Sequence, residues 1–374
     1  MKTNLIFNTS ELTNNLKSST EFYEINEKGK NLFIVKKYIN KRGRPFSLNI
    51  PREIILTSKA LGLIVGEGFV GDRNFIFANS NENAIKEVLD FLKQFNLPIK
   101  MYLEISMKNK FKSFEKYCQK FWENNLGVNL NKIRLRKEFN NITRHGTIHL
   151  TLNNSLIARL LKQIINTSKR KVEKNKKLSI DYLKGIIAAE GNVNAKTTTT
   201  NCLYMVRISA SKKEEREHYK RCLKRVGITI YCEDMETISA EEGIRRGWKT
   251  SKGRAGAVII SRWENFVKLF ENGLLNLNTD KKTKFLQYFT NNKFTKQFLE
   301  FEYFLGKEFT MKDAQTYFKF KGRHLDRVLT LCKQGYISRR KINKRDYIYK
   351  LTNNYVKLYN QLKKELKLNI TPLL

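Results

Sequence analysis

SKALGLIVGEGFV at residues 58–70 and SIDYLKGIIAAEGNV at residues 179–193 are two versions of one pattern. Aligned on Gly68 and Gly191, each opens on an N-cap-like serine, Ser58 or Ser179, and runs through an apolar helical stretch with a small residue at the same place. Each then ends in Glu-Gly before strand-like residues. Recurrence at a domain-sized interval marks an internal duplication, each copy being the opening helix of one repeat.

The residues after each copy follow the same order of elements. After the first, the periodicity predicts a strand at 74–78, a helix at 83–95, a strand at 99–106 and an inserted amphipathic helix at 113–124. A strand pair at 133–138 and 146–152 and a helix at 155–165 come next. After the second it predicts a strand at 203–210, a helix at 212–226, strands at 229–236 and 255–261, and helices from Trp263 and Asp280. Both runs read α-β-β-α-β-β-α, an α+β class. KRKVEKNKK (169–177) between them reads as a solvated basic linker.

Further on, helices are expected over 294–306, from Thr310 to Phe318, and over HLDRVLTLCKQ (324–334), which stops at Gly335. YISRRKINKRDYIYKL (336–351) then reads as strand, basic turn, strand. Three helices and a basic hairpin are the pattern of a winged helix-turn-helix, with Arg323, Arg339, Arg340 and Lys341 as DNA-contact candidates. The same fold used for protein contact is the alternative. At the other end, KRGRP (41–45) matches the core of a minor-groove AT-hook through Arg42 and Arg44, or is a basic turn into the first repeat. The expected layout is a basic N-terminal extension (1–50), a first repeat (51–168), a basic linker (169–178), a second repeat (179–291) and a winged helix-turn-helix (292–374).

Lys and Arg number 72 against 35 Asp and Glu, a net charge of +37 spread along the whole length. A folded chain tolerates such self-repulsion best beside a polyanion, so double-stranded DNA is the expected partner. A ribosomal-type RNA binder and a membrane-surface protein are the alternatives on charge alone. With 41% hydrophobic and 11% aromatic residues the composition is not that of a disordered chain. No apolar run approaches the ~18 residues of a membrane span. The start is too polar for a signal peptide, so a cytoplasmic location is expected, or an organellar matrix for an organelle-encoded chain. The five cysteines (Cys118, Cys202, Cys222, Cys232, Cys332) form no metal-binding or disulfide pattern. His145 and His149 have ligand-like spacing, but lie in a strand pattern with no third ligand.

Within each motif small residues stand four apart, Gly62 with Gly66 and Gly185 with Ala189, on one helix face. Such faces let two helices approach more closely than the usual 8–10 Å, so the two motifs are expected to pack together. Packed side by side, they bring Glu67 and Glu190 together at two helix C-termini. Helix C-termini already carry partial negative charge, and two carboxylates repel. A hard divalent cation, Mg²⁺ in the first place, compensates when bound by both carboxylates, water and phosphate oxygens. The chemistry such a site supports is phosphodiester hydrolysis.

ALGLIVGEG (60–68) and LKGIIAAEG (183–191) resemble the two motifs of the monomeric, two-repeat LAGLIDADG homing endonucleases. The chain departs from that pattern at Val65 and Ala188, where the family often has Asp, and keeps the acid before the last glycine in both copies. The resemblance covers about residues 50–290. It implies two pseudo-symmetric αββαββα repeats whose sheets form a saddle over the major groove, and a monomeric protein. It gives Glu67 and Glu190 the metal-ligand role, with Gly66 and Ala189 beside them in the metal site. It also implies a basic residue late in each repeat, near the scissile phosphates. Lys281 and Lys282 are the catalytic candidates in the second repeat, and Lys169 or Lys171 in the first. Base reading falls to Arg134, Arg136, Arg144, Tyr204, Arg207 and the polar stretch 239–254, including Arg245, Arg246, Lys249 and Arg254.

The expected function is a site-specific double-strand DNA endonuclease of homing type, encoded by an intron or a free-standing gene. An intein is not expected, since the chain opens on Met1 and closes on Thr371-Pro372-Leu373-Leu374. Two other readings stand beside it: a non-cleaving, sequence-specific transcription regulator on the same fold, and an RNA maturase that assists intron splicing.

Overall fold

The computed structural model describes residues 3–16, 21–38, 46–106, 112–130, 132–136, 144–196, 202–238, 253–318, 325–343 and 346–369. By compactness the chain divides into two units. One comprises Met1–Asn192, Val206–Ile260 and Asn272–Lys281; the other comprises Val193–Met205, Ser261–Glu271 and Lys282–Leu374.

The expected basic extension is, over its described residues, folded. β1 (Asn4–Asn8) leads into helix α1 (Thr9–Asn14), capped by the Asn8 side chain. The hairpin strands β2 (Glu21–Lys28) and β3 (Asn31–Tyr38), then β4 (Phe46–Pro51), make an antiparallel sheet, and β5 (Glu53–Thr57) pairs back onto β1. Leu32, Ile34, Leu48 and Ile50 are buried in alternation along β3 and β4, so this segment has a core of its own. Two side-chain bonds tie it to later helices: the Thr3 hydroxyl donates to Asp181, and Arg159 Nη1 donates to the Tyr23 hydroxyl at 3.3 Å.

The first motif is helix α2 (Ser58–Glu67), followed by β6 (Gly68–Val70), β7 (Phe75–Asn79), α3 (Glu82–Lys93), β8 (Lys100–Ser106) and α4 (Lys112–Leu126). β9 (Ile133–Arg136), β10 (Thr147–Leu152) and α5 (Ser155–Lys174) complete the run. The sheet order is β6-β7-β10-β8-β9. Phe75, Phe77, Leu103, Ile105, Ile148 and Leu150 alternate inward, while the other face carries polar and half-buried side chains.

β9 and β10 are not the expected strand pair: β9 runs parallel to β8, and β10 lies between β7 and β8. Nor is 169–177 a solvated linker. α5 continues through it to Lys174 because Ile164, Ser168 and Val172, spaced four apart, are all buried on one face.

The second motif is helix α6 (Lys176–Glu190). The two serines expected to cap these helices are interior instead: Thr57 caps α2 and Asn175 caps α6, whereas Ser58 and Ser179 are buried within the helices. β11 (Gly191–Lys196), β12 (Cys202–Ser209), α7 (Lys213–Arg225), β13 (Cys232–Ile238) and β14 (Gly253–Ile260) follow, with sheet order β11-β12-β14-β13. Setting β9 aside, both four-strand orders are first, second, fourth, third.

Helices α8 (Trp263–Glu271), α9 (Thr279–Asn291) and α10 (Lys293–Glu300) come next, then a 3-10 turn (Phe301–Phe304). β15 (Glu308–Thr310), α11 (Met311–Phe318), α12 (Leu325–Lys333), β16 (Ile337–Lys341), β17 (Tyr347–Leu351) and α13 (Asn353–Asn369) end the described chain. Thr310 and Asp313 cap α11 reciprocally, and Gly335, at φ +78°, closes α12. β15-β17-β16 form a small antiparallel sheet. Trp263 is built into the core of this second unit: its indole N–H donates to Thr295 Oγ1 at 3.0 Å, and its ring packs on Phe294 and Phe298. The expected boundary near residue 292 therefore falls between groups that pack together. Among the described residues no helix is long and apolar enough to cross a membrane.

Candidate metal centre at the ends of two helices

α2 and α6 meet backbone to backbone. A Cβ added to Gly62 would stand 2.2 Å from the Tyr182 carbonyl oxygen, and one added to Gly185 would stand 2.3 Å from that of Lys59. One turn on, a Cβ on Gly66 would meet the Ala189 methyl at 2.6 Å and Glu190 Cγ at 3.4 Å. The four small residues thus form the contact between the helices, and the helices stay together to their ends.

Both helices stop at a glycine whose backbone is extended, Gly68 at φ −80° and Gly191 at φ −73°. The need for glycine is one of space: a Cβ on either would lie 2.4 Å from a carbonyl oxygen of the last turn, that of Ile64 or Ile187. The chain leaves each helix directly as a strand, so Glu67 and Glu190 are the last helical residues of two touching helices.

The two carboxyl groups are not equivalent. Burial raises the Glu67 pKa, and a hydrogen bond from the Asn79 amide together with the nearby Lys281 ammonium opposes the rise. Asn79 stands at the end of β7 and is itself held, its Oδ1 accepting from Asn81 N at 2.7 Å. Burial and then the charge of Glu67 push Glu190 up to about 7, with only Lys281 in opposition among its main influences. This is the pattern of two acids close enough that the second ionises with difficulty.

Lys281 is placed by the start of α9, where Asn278 Oδ1 accepts from its backbone N–H at 3.0 Å. Its ammonium donates to the carbonyl oxygens of Ile187, Ala188 and Ala189 at 3.1, 2.5 and 3.1 Å, capping the negative end of α6. Burial lowers its pKa, and both glutamates work against that.

The other lysine candidates stand elsewhere. Lys282, one residue along the same helix, forms an ion pair with Glu365 at 2.8 Å. Lys171 lies over the Phe7 ring at 5.0 Å, and Lys169 acts on His218. Successive helical residues project about 100° apart, which is why only one of the Lys281–Lys282 pair turns to the end of α6.

The candidate DNA-contact residues are spread over the described surface. Arg134 is exposed on β9 and lies over the Tyr102 ring at 4.2 Å; Arg144 and Tyr204 are exposed, and Arg207 is half-buried on β12. Arg339, Arg340 and Lys341 are exposed on β16, Arg339 lying over Tyr347 at 5.2 Å and Arg340 standing 3.8 Å from Glu308. Arg136 and Arg254 lie on strands β9 and β14. Arg42, Arg44, Arg245, Arg246, Lys249 and Arg323 lie outside the described residues. His145 stacks on Phe121 at 3.7 Å and His149 on Tyr102 at 4.4 Å, which accounts for both as packing groups.

Among the described residues no three His, Cys, Asp or Glu side chains gather as a metal cluster. The donors at the helix ends are two carboxylates, in a setting of backbone carbonyls and without nitrogen or sulfur ligands. Such an all-oxygen set suits a hard divalent cation that completes its shell with water and substrate phosphate. The crowding of negative charge there, answered by one ammonium, fits that use. Asn79 escaped sequence reading because a single Asn closing the apolar strand FIFAN carries no signal of its own.

Residues 177–272 match the family model of a LAGLIDADG-like domain. No curated protein matches the chain. Among solved structures, I-DmoI in complex with DNA and Mn is similar at 16% identity and a TM-score of 0.31, over 58% of this chain and 94% of that one. Full-length WhiA from Thermatoga maritima is similar at 14% identity and a TM-score of 0.33, over 83% of this chain and 90% of that one.

Proposed function

We propose that this chain is a site-specific, divalent-cation-dependent endonuclease of homing type acting on double-stranded DNA. The observation that carries the reading is the pair of carboxylates, solvent-reaching Glu67 and half-buried Glu190, at the ends of two helices in backbone contact. The LAGLIDADG-like domain over 177–272 includes the second of them and supports it.

In this reading α2–α5 and α6–α9 are two αββαββα repeats, and Glu67 and Glu190 hold the cation, Mg²⁺ in the first place, with Gly66 and Ala189 beside them. When bound, the cation acts as a Lewis acid and brings the pKa of water toward neutrality. Asn79 fixes the Glu67 carboxylate. Lys281 holds positive charge where negative charge develops on the phosphate. Arg134 of β9 and the exposed arginines of β16 contact DNA, with α10–α12 and the β16–β17 hairpin as a winged helix-turn-helix.

The test is incubation of the full chain with a randomised duplex library in Mg²⁺, in Ca²⁺ and in chelator. Cleavage in Mg²⁺, binding without cleavage in Ca²⁺ and neither product nor nick in chelator are expected. Sequence-specific binding with no cleavage in any divalent cation, Mn²⁺ included, overturns the nuclease reading in favour of a regulator on the same fold.

Lys281→Met is expected to lower cleavage about 100-fold, in line with loss of one positioned charge-stabilising group. It also removes that donor from the Ala188 and Ala189 carbonyls, while Ile187 keeps the Gly191 N–H, so melting of the metal-free protein should fall by a degree or more. Unchanged melting would show that the Lys281 hydrogen bonds do not hold the end of α6.

A further inference from the structure

At the far end of α6 from the acid pair lies a cleft of about 480 Å³ lined by Glu173 and Lys174 of α5 and by Arg221, Lys224 and Arg225 of α7. α6 begins at Lys176 and ends at Glu190. At 1.5 Å per residue its two ends are about 22 Å apart.

The simplest account of these cations is that Lys174, Lys224 and Arg225 sit in the last turns of their helices and answer the helix dipoles. That explains their place in sequence, but not their convergence on one cleft. Among the described residues four cations and one carboxylate line it, and Glu173 is already engaged: its Oε1 lies 2.6 Å from Nδ1 of the buried His218 and accepts from Arg221 Nη2 at 2.8 Å. Its backbone carbonyl accepts from Arg225 Nε at 3.1 Å. Both guanidinium groups are therefore held in place before any ligand arrives. Lys174 and Lys224 have no ion-pair partner among the described residues. Two pre-positioned arginines with two free ammonium groups suit phosphate oxygens, and the net positive lining disfavours a cationic or apolar guest.

We propose that this cleft is a second nucleic-acid site, which takes the phosphodiester backbone of a segment other than the one at the acid pair. A segment at the acid pair and one at the cleft engage opposite ends of the same helix, so both can be bound at once. The inference does not depend on cleavage.

The test uses the full chain and fluorescein-labelled 12-bp duplex DNA and 12-nt single-stranded RNA of unrelated sequence, with anisotropy followed across a KCl series. Lys174→Gln with Lys224→Gln is compared with Lys28→Gln and Lys30→Gln, which remove the same charge from exposed positions in and beside the β2–β3 hairpin. The cleft variant is expected to bind about tenfold more weakly at 100 mM KCl. Its salt slope should fall by about two contacts, at about 0.9 each for duplex or about 0.7 for a single strand. The control should stay within about twofold. Loss on one probe alone identifies which polymer the cleft takes. Equal losses in both variants, or no loss in either, overturn the proposal. Stoichiometry by sedimentation separates it from the metal-centre reading: Glu67→Gln should keep two segments per chain, and the cleft variant should keep one.

Discussion

Glu190→Gln is expected to abolish metal-dependent cleavage and, by the same change, to make the metal-free protein more stable above neutral pH. Burial and the neighbouring Glu67 raise the Glu190 pKa from 4.5 to about 7 in the folded chain. A carboxyl group whose folded pKa is raised stabilises the fold fully below its unfolded pKa, and that contribution is lost as pH rises through the folded value. The window is thus from about 4.5 to about 7, and above it the folded chain carries a charge that it solvates poorly. At 1.36 kcal/mol per unit, and allowing for residual solvent contact, glutamine relieves about 2 kcal/mol at pH 8.5 and almost nothing at pH 4.

In a chain of this size that is a rise in melting temperature of about 2 to 3 °C at pH 8.5. Cleavage should fall at least 1000-fold, because half the charge of the cation site is gone. Glu67→Gln should cost cleavage as much but stabilise less, since Asn79 and Lys281 already offset the Glu67 charge. The measurements are thermal melts at pH 4.5 and 8.5 in chelator, and cleavage of a selected duplex in Mg²⁺. Identical melting of wild type and Glu190→Gln at pH 8.5 would falsify the burial argument; cleavage at the wild-type rate would remove the metal centre.

The second large effect concerns the helix contact. Gly62→Ala and Gly185→Ala each place a methyl group within about 2.3 Å of a carbonyl oxygen in the facing backbone, where no side chain can swing aside. The helices must separate along their length. A cost of about 3 kcal/mol or more, near the top of the usual range for overpacking, lowers melting by about 4 °C or more in a chain of this length. Gly66→Ala is crowded by a side chain, the Ala189 methyl, and reaches Glu190 Cγ only at ordinary contact distance, so its cost should be smaller and should be recovered largely by adding Ala189→Gly. Melts of the three single variants and of the Gly66–Ala189 exchange check this ordering. If Gly185→Ala melts like wild type, the backbones are not in contact as described.

The range of each interaction decides what could be read from sequence. Gly62, Gly66, Gly185, Ala189 and the two glutamates carry their message in spacing along a single helix, and two copies reinforce one another. Strand pairing depends on residues far apart in sequence, so nothing local in IRLR announced that β9 would run parallel to β8 instead of pairing with β10. The α5 extension was hidden because KRKVEKNKK has one apolar residue, Val172, and its helical stripe appears only when counted from Ile164. In the N-terminal segment, EFYEINEK and NLFIVKKY alternate, but with their many charged positions the stretch reads only as a basic extension. Choosing between Lys281 and Lys282 required the phase of α9, which the Asn278 side chain sets through its bond to Lys281 N.

The junction between α5 and α6 consists of one residue. Asn175 ends the first helix with its backbone N–H and starts the second with its side chain, which accepts from Lys177 N at 2.9 Å and from Leu178 N at 3.2 Å. Ser179 Oγ donates to the Val172 carbonyl across the bend at 2.7 Å. One residue inserted there must be extruded as a loop, or α6 turns by about 100° and Glu190 faces away from Glu67. The joint is therefore a phase lock between α5 and α6: it transmits rotation as well as connection, and it sets the direction in which α6 presents Glu190 at its far end.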